Sequence, residues 1–374
     1  MKGRQPEAGS SANITYSAKN LILAALLTLA VVMAVGYLRW LDGVGDGIGG
    51  DFRATTYEPG NAILDGRSPY PEPESVSLDS LPAVYPPPYM LLFAPLSVLP
   101  FQAATGLWLA ALAVAITVAL WLVGLRDFRC YAIALLSLPV VAAVGHGNAT
   151  GLLMLSTALL WRWRDRTHFG AAAFACGLLI KPILWPVFVW LLVTRRVRLA
   201  LEAAVLAPLA ALAGWAIIGF DGLAEYPALL RANSDAAASN GLLATNLLLD
   251  LGLPLRAAEF VSVILGACLL FASIRIRSDV DRFTLAVAAA LVITPVMWSH
   301  YFVLLFVPLA ARSASLSAAW FAVLPLWLVA PAYEWDGTRA WWTSVVGMVF
   351  VVAVLAPLVR RESRVDPAGL TTRP

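Results

Sequence analysis

The sequence predicts an all-α, polytopic membrane protein. Of its 374 residues, 60% are hydrophobic and 13% are charged, whereas soluble proteins carry roughly 25% charged residues. The mean hydropathy is +0.78. Apolar runs recur along the chain at lengths that suit membrane helices, so we predict about 11–12 membrane passes. Lipid should therefore cover most of the surface of a single transmembrane domain, residues 20–360.

The first apolar run, residues 21–40, follows Lys2, Arg4 and Lys19. It is about as long as a bilayer-spanning helix requires, and it is longer than the core of a cleavable signal peptide. We therefore expect a retained first span that follows a cytoplasmic tail of residues 1–19.

The next segment, residues 41–87, is predicted to be a long outer loop. Residues 42–79 contain eight acidic residues but only two basic ones, Arg53 and Arg67. Cytoplasmic loops carry an excess of Lys and Arg, so this loop belongs outside. Residues 88–100 form a short apolar segment that we expect to lie as a juxtamembrane helix before the second span.

Arginine clusters recur along the rest of the chain. One threading of the chain through the membrane, that is, one assignment of spans and loops, places all of them on the cytoplasmic side. This threading puts both termini inside, including a tail of residues 361–374, and leaves a second outer loop at residues 220–256. The predicted spans and shorter passes are 101–125, 130–144, 149–161, 199–218, 257–274, 283–296, 301–311, 316–329 and 341–359.

The segment 169–194 does not fit a simple span. Both of its ends adjoin arginines, yet its roughly 26 residues cannot make two spans of about 20 residues each. Lys181-Pro182 lies at its middle, and proline ends or kinks a helix at the residue before it. One interpretation is a hairpin of two half-length helices with Lys181 near its tip. The other is one tilted helix with Lys181 snorkelling to the surface.

Asp51 is the leading candidate for a catalytic group. It follows Gly49-Gly50 just beyond the first span, where a carboxylate could act as a general base towards an acceptor hydroxyl. The alternative is a solvated loop acid, because seven other acidic residues share this loop.

Three tyrosines of the first loop, Tyr57, Tyr70 and Tyr85, are candidates for the substrate pocket. With the nearby prolines they could form walls for a sugar ring or a lipid tail. The alternative is an interfacial belt of aromatic residues.

Polar residues at three other points could join Asp51. Lys181 needs an anionic partner if it is buried, and a lipid phosphate could serve. His300, next to Trp298 and Tyr301, could donate to a phosphate or stabilise a leaving group; a structural histidine is the alternative. His146 and Asn148 form a turn between two short spans, and they could line a pocket or cap helix ends. Trp298 is a further candidate for the substrate pocket.

Other classes of site lack their signatures. The three histidines show no metal-ligand spacing, and no cysteine lies in a polar loop where a disulfide would form. The chain has no phosphate-binding glycine loop, so nucleotide hydrolysis is not expected. We also predict no nucleic-acid partner. We predict no metal and no cofactor. Energy must come from the substrate or from a gradient.

Six short motifs occur in order, and together they resemble the family 87 glycosyltransferases. These include the polyprenyl-phosphate-mannose-dependent mannosyltransferases of phosphatidylinositol-mannoside assembly. The motifs are Asp51-Phe52 with Tyr57, Gly66-x-x-Pro69-Tyr70, Tyr85-Pro86-Pro87-Pro88, Gly145-x-x-Asn148, Gly177 to Lys181-Pro182, and Pro295-x-x-Trp298-x-His300.

The resemblance implies a helical bundle of the GT-C type in the cell membrane, with its active site on the extracytoplasmic face. It implies inverting transfer of a hexose, mannose among the relatives, from a polyprenyl-phosphate donor to a lipid or glycan acceptor. Asp51 matches the family's catalytic acid, His300 its histidine and Lys181 its Lys-Pro lysine. Two departures are His146, where the family usually has Gln, and Pro59, which is expected to interrupt a helix after Asp51.

Two other classes stay open. A transporter or flippase for a polyprenyl lipid or a small molecule would place ionisable residues near the bilayer midplane, in paired broken helices. A non-catalytic assembly subunit would leave Asp51, Lys181 and His300 scattered. The enzyme interpretation predicts that these three side chains line one cavity. The sugar, the acceptor and the oligomeric state are not determined by the sequence.

Overall fold

A computed structural model describes residues 9–43, 47–78, 81–82, 84–330 and 340–362. The regular elements in these ranges are helices, as predicted. Residues 1–8 and 363–374 of the predicted tails lie outside the described residues. So do residues 44–46, 79–80, 83 and 331–339.

The first half of the chain forms the outer loop and the first spans. A π-helical turn, Arg53–Tyr57, lies between the second and third α-helices. The α-helices are α1 (Gly9–Gly43), α2 (Gly50–Phe52), α3 (Glu58–Leu64), α4 (Pro87–Phe93), α5 (Phe101–Leu122), α6 (Phe128–Leu135), α7 (Leu138–Gly145), α8 (Thr150–Trp163), α9 (Thr167–Ile180) and α10 (Val187–Val193).

The second half adds the second outer loop and a return through the core. A 3-10 helix, Ser299–Leu305, carries the predicted histidine turn. The α-helices are α11 (Val197–Ile217), α12 (Tyr226–Ala236), α13 (Ala244–Asp250), α14 (Leu255–Arg275), α15 (Asp279–Ile293), α16 (Phe306–Arg312), α17 (Ala318–Phe321) and α18 (Trp342–Glu362).

Four described helices are long and apolar enough to cross a membrane. They are Asn20–Gly43 of α1, then α5, α11 and α14; the pair α6 and α7, bent by 59°, would be a fifth. The other apolar helices have 10–17 residues, which is short for a full span. The polytopic helical class is confirmed, whereas the number of 11–12 passes stays a prediction.

Segment 169–194 folds back on itself. Helix α9 ends before Lys181, and α10 returns after a short 3-10 turn. Arg196, just beyond α10, donates to Asp165, just before α9, at 2.8 Å. A single straight helix would hold these ends about 39 Å apart at 1.5 Å per residue. The structure therefore has the hairpin, and the single tilted helix is excluded.

The arginine-rich connections meet at one end of the bundle. Asp279, the first residue of α15, accepts from Arg164 after α8 at 3.0 Å and from Arg196 after α10 at 2.9 Å. Nearby in the chain, Asp281 accepts from Arg312 of α16 at 2.7 Å. Connections that the threading put on one side of the membrane are thus adjacent. That this side is cytoplasmic stays a prediction.

Helices α8, α9 and α15 each run from this arginine-rich end to the predicted site. They contain 14, 14 and 15 residues, so each spans about 21–22 Å. Asn148 and Lys181 lie next to the far ends of α8 and α9, and Pro295 follows α15. Three helices of nearly equal length therefore place these site residues at a similar distance from the arginine-rich end.

Candidate active site

Two glycine-rich turns dock to form the floor of the site. Gly49 N donates to Gly145 O at 2.8 Å, and Phe52 N donates to His146 O at 3.2 Å. Gly49 has φ +81°, and a Cβ there would lie 2.6 Å from Thr105 Cγ2. This pairing of backbones fixes the start of α2, and with it Asp51, against the turn before α8.

The helix after Asp51 is continuous, contrary to the expectation for Pro59. Helix α2, the π-helical turn and α3 follow without a break. Pro59 lies in the first turn of α3, where its missing N–H is tolerated. The prediction that Pro59 interrupts this helix is therefore wrong. The π-helical turn comes just before the proline, and its hydrogen bonds join residues five apart instead of four. Such turns often occur at functional sites.

Asn148 links the acid to the lysine. Its Nδ2 donates to Asp51 Oδ2 at 2.7 Å, while its Oδ1 accepts from Thr150 N at 3.0 Å and faces Lys181 Nζ at 3.4 Å. The Lys181 ammonium donates to Tyr301 Oη at 2.7 Å. A chain of polar contacts thus runs from the carboxylate to the ammonium.

Neutral groups surround the Lys181 ammonium. Its Nζ lies 5.2 Å from the ring centre of Tyr85 and 4.4 Å from that of Tyr301. It forms no ion pair with any residue that the structure describes. Aromatic faces stabilise a cation but do not pair with its charge as an anion in direct contact does. The site can therefore accept an anion.

His300 contributes a second polar group near Lys181. Its side chain is 6% exposed, and Nε2 has no hydrogen-bond partner within the described ranges. The ring packs edge-on against Tyr301, with 4.6 Å between centroids. A buried nitrogen without a partner is uncommon, and here it adjoins a cavity that could hold one.

One cavity of about 350 Å³ connects these groups. It is bounded by the bundle below and by the outer loops above. The predicted site residues that line it are Asp51, Tyr85, His146, Asn148, Lys181, Trp298 and His300. The structure therefore brings together side chains that lie up to about 250 positions apart.

Tyr57 and Tyr70 are outside the lining of this cavity, in contrast to the predicted pocket. The Tyr57 hydroxyl donates to Leu99 O at 2.8 Å. The Tyr70 hydroxyl donates to Tyr85 O at 2.9 Å, and its ring stacks on Trp215. Each hydroxyl is bonded to a backbone carbonyl, and neither phenol belongs to the lining of the cavity.

Several lining residues were not predicted from the sequence. Tyr301 holds Lys181, and Tyr37 of α1 hydrogen-bonds His146 Nε2 at 2.8 Å. In a sequence, a tyrosine within an apolar run resembles an anchor at the membrane interface. Nothing therefore marked Tyr301 or Tyr37 as a residue of the site. Asn233 and Ser234 of α12 also line the cavity; the polar second outer loop was the only hint. No group of His, Cys, Asp or Glu among the described residues is arranged to hold a metal ion.

A family model described as "Glycosyltransferase family 87" matches residues 83–308, which is more than half of the chain. The match contains Asn148, Lys181 and His300, and Asp51 lies before it. No curated protein and no solved structure matches.

Proposed function

Because this chain belongs to glycosyltransferase family 87, we propose that it transfers a hexose from a polyprenyl-phosphate sugar to a lipid or glycan acceptor. We propose mannose as the hexose and inversion at its anomeric carbon. The reaction takes place at the extracytoplasmic face of the cell membrane.

The donor phosphate binds between Lys181 and His300. Lys181 supplies a cation that lacks an anionic partner in the described structure, and His300 Nε2 supplies a polar atom without a partner. As the bond from the anomeric carbon to the phosphate oxygen breaks, that oxygen gains negative charge. A fixed cation stabilises this charge without reorganising.

Asp51 acts as the general base. Asn148 occupies Oδ2 of the carboxylate. Oδ1 has no partner among the described residues, so it can accept the proton of an acceptor hydroxyl. The acceptor oxygen forms its bond to the anomeric carbon from the face opposite the phosphate. The bond to the phosphate oxygen breaks, and polyprenyl phosphate leaves with both electrons of that bond.

A single observation carries this proposal: Asp51, Lys181 and His300 line the same cavity. They come from α2, from the tip of the hairpin after α9 and from the turn after α15. A non-catalytic assembly subunit has no need for this convergence. The grouping therefore supports an enzyme over that alternative.

The direct test is Asp51→Asn in the full-length protein, assayed with a polyprenyl-phosphate hexose. The amide keeps the shape but cannot take a proton, so transfer should fall at least 100-fold with unchanged thermal unfolding. Asp65→Asn is the matched control, because Asp65 is an exposed acid of the same loop. Wild-type rates in Asp51→Asn would refute the assignment. Substrate-dependent ion flux in liposomes, without transfer, would favour the transporter instead.

A further inference from the structure

Helix α12 of the second outer loop is fixed over the cavity. Tyr226 donates to Val84 O at 2.8 Å, and its ring packs on Tyr70 and Trp215 at centroid distances of 5.2 and 5.4 Å. Leu229 is buried. On the outer side, Asp235 accepts two bonds of 3.0 Å from Arg256. These contacts determine which face of α12 looks inward.

The inward face carries Leu230, Asn233 and Ser234. Their spacing of i, i+3 and i+4 puts them on one side of the helix, and all three line the cavity. Inward positions of an amphipathic helix are normally apolar. Here two of them are a half-buried amide and a half-buried hydroxyl, for which the described structure contains no hydrogen-bond partner.

The surroundings of this pair restrict what it can bind. Four residues of the first outer loop in the lining, Leu78, Leu81, Pro82 and Val84, are apolar, and Val84 O accepts from Tyr226 of α12. An anionic ligand would need a cation. Lys181 is the only lysine or arginine in the described lining, and it is assigned to the donor phosphate.

We propose that Asn233 and Ser234 form the acceptor subsite and bind hydroxyl groups of an uncharged sugar. An amide offers two donors and an acceptor, and a hydroxyl offers one of each, which matches neighbouring sugar hydroxyls. This inference rests on the proposed function, because Lys181 and His300 of the same cavity are assigned to the donor phosphate. The apolar neighbours favour a sugar with an apolar aglycone.

The subsite can be tested without catalysis by asking whether a bound ligand protects an engineered cysteine from labelling by maleimide. Leu230→Cys keeps Asn233 and Ser234 intact and places a thiol in the lining; Arg231→Cys on the exposed side is the control. Cys176 and Cys268, which are exposed, are replaced by Ala. The protein is held in lipid nanodiscs, because maltoside detergents carry sugar headgroups.

We expect octyl α-mannoside to slow maleimide labelling of L230C but not of R231C. Adding Asn233→Ala and Ser234→Ala should abolish this protection. Methyl α-mannoside carries the same sugar without the long alkyl chain, so it distinguishes a free glycan from an alkyl acceptor. Equal protection by the methyl and octyl mannosides would overturn the preference for an apolar aglycone. Protection by octyl glucuronide as strong as by the mannoside would overturn an uncharged ligand. Unchanged labelling of L230C with every probe would overturn the subsite.

Steady-state kinetics provide the second readout. Asn233→Ala and Ser234→Ala should each raise the acceptor KM about 2- to 12-fold, the value of one neutral hydrogen bond. The donor KM and acceptor-independent donor hydrolysis should be unchanged, with Arg231→Ala as the control. A parallel rise in donor KM would overturn the assignment to the acceptor. Protection of L230C in a protein that transfers no sugar would keep the subsite and refute the proposed function.

Discussion

Asn148 is the residue on which the geometry of the site depends most. Its Oδ1 must face the Thr150 N–H, which can only donate, so its Nδ2 must face Asp51. The amide therefore positions both the Asp51 carboxylate and the Lys181 ammonium. Neither of these charged groups forms an ion pair with another described residue. At the scale of one residue, the site depends on an uncharged side chain.

Removing this amide should slow transfer without unfolding the protein. Asn148→Ala deletes the 2.7 Å donor to Asp51, a charge-assisted hydrogen bond worth about 1.5–3 kcal/mol, so we expect kcat to fall about 10- to 100-fold. Asn148→Asp should be worse, because it sets a second carboxylate against Asp51. A kcat of Asn148→Asp equal to wild type would contradict this role. Thermal unfolding separates the effect from loss of fold.

At the scale of elements, the site begins with the turn from α1 into α2. Gly49 adopts a left-handed conformation and lies so close to α5 that a methyl group would overlap Thr105. Thr105 is buried and β-branched, so it cannot easily rotate away. Backbone geometry, set by one glycine, thus decides where Asp51 lies.

Gly49→Ala should therefore lower both stability and activity. Its cost combines the unfavourable left-handed conformation, about 1–2 kcal/mol, with the overlap at Thr105. Gly66→Ala is the matched control, because Gly66 has φ +70° but open space around its Cα. We expect a larger fall in Tm for G49A than for G66A. Equal changes in Tm would show that the close approach costs nothing.

The start of α15 ties the hairpin to the bundle at the opposite end. The carboxylate of Asp279 accepts from Arg164, Arg196 and Trp190 at 3.0, 2.9 and 2.8 Å. Burial acts to raise the pKa of Asp279, but hydrogen bonds from Arg196 and Trp190 outweigh it and hold the pKa below its usual value. Ionised Asp279 therefore stabilises the fold.

The stability of this junction should depend on pH in one direction. A carboxyl whose folded pKa is depressed stabilises the protein above its unfolded pKa of about 3.9, and the effect is lost as the pH falls through the folded pKa. Asp279→Asn should lower Tm at pH 7, and its difference from wild type should shrink as the pH falls below about 3.9. Asp65→Asn, which disrupts an exposed pair, should have little effect at either pH. A difference between wild type and D279N that is independent of pH would contradict the role of charge.

The whole molecule separates its charges between two ends. The ion pairs of Asp279 and Asp281 lie at one end, and Asp51, Lys181 and His300 share a cavity about one helix length away. We propose that the arginine-rich end lies in the cytoplasm, which would place the opening of the cavity on the extracytoplasmic side. A polyprenyl-linked donor could then present its sugar to an acceptor outside.

Cysteine labelling in intact cells tests this orientation. Asp65→Cys and Asp221→Cys, at exposed positions of the two predicted outer loops, should react with a membrane-impermeant maleimide before lysis. Arg198→Cys and Arg277→Cys should react only after permeabilisation. The reverse pattern would place the cavity in the cytoplasm and exclude the proposed site of transfer.

The helical membrane class and much of the candidate site could be predicted from the sequence. Lys181-Pro182 between two arginine-flanked ends left a hairpin and a single tilted helix open, and the structure contains the hairpin. Tyr57 and Tyr70 were placed in the pocket although neither lines it, because composition identifies an aromatic wall but not the side on which it stands. Tyr301, Asn233 and Ser234 were missed, since residue type and spacing do not show what a side chain contacts.

By itself, the sequence determined that this chain is a polytopic helical protein with its acids and arginines segregated along the chain. Lipid solvation and helix periodicity are local properties of sequence, and they can be read without the fold. Only the tertiary structure decided that Asp51 meets Asn148, that Asn148 faces Lys181 and that α12 covers them. Those contacts join residues about 30 to 180 positions apart, and the packing of whole helices, rather than any local preference, sets them.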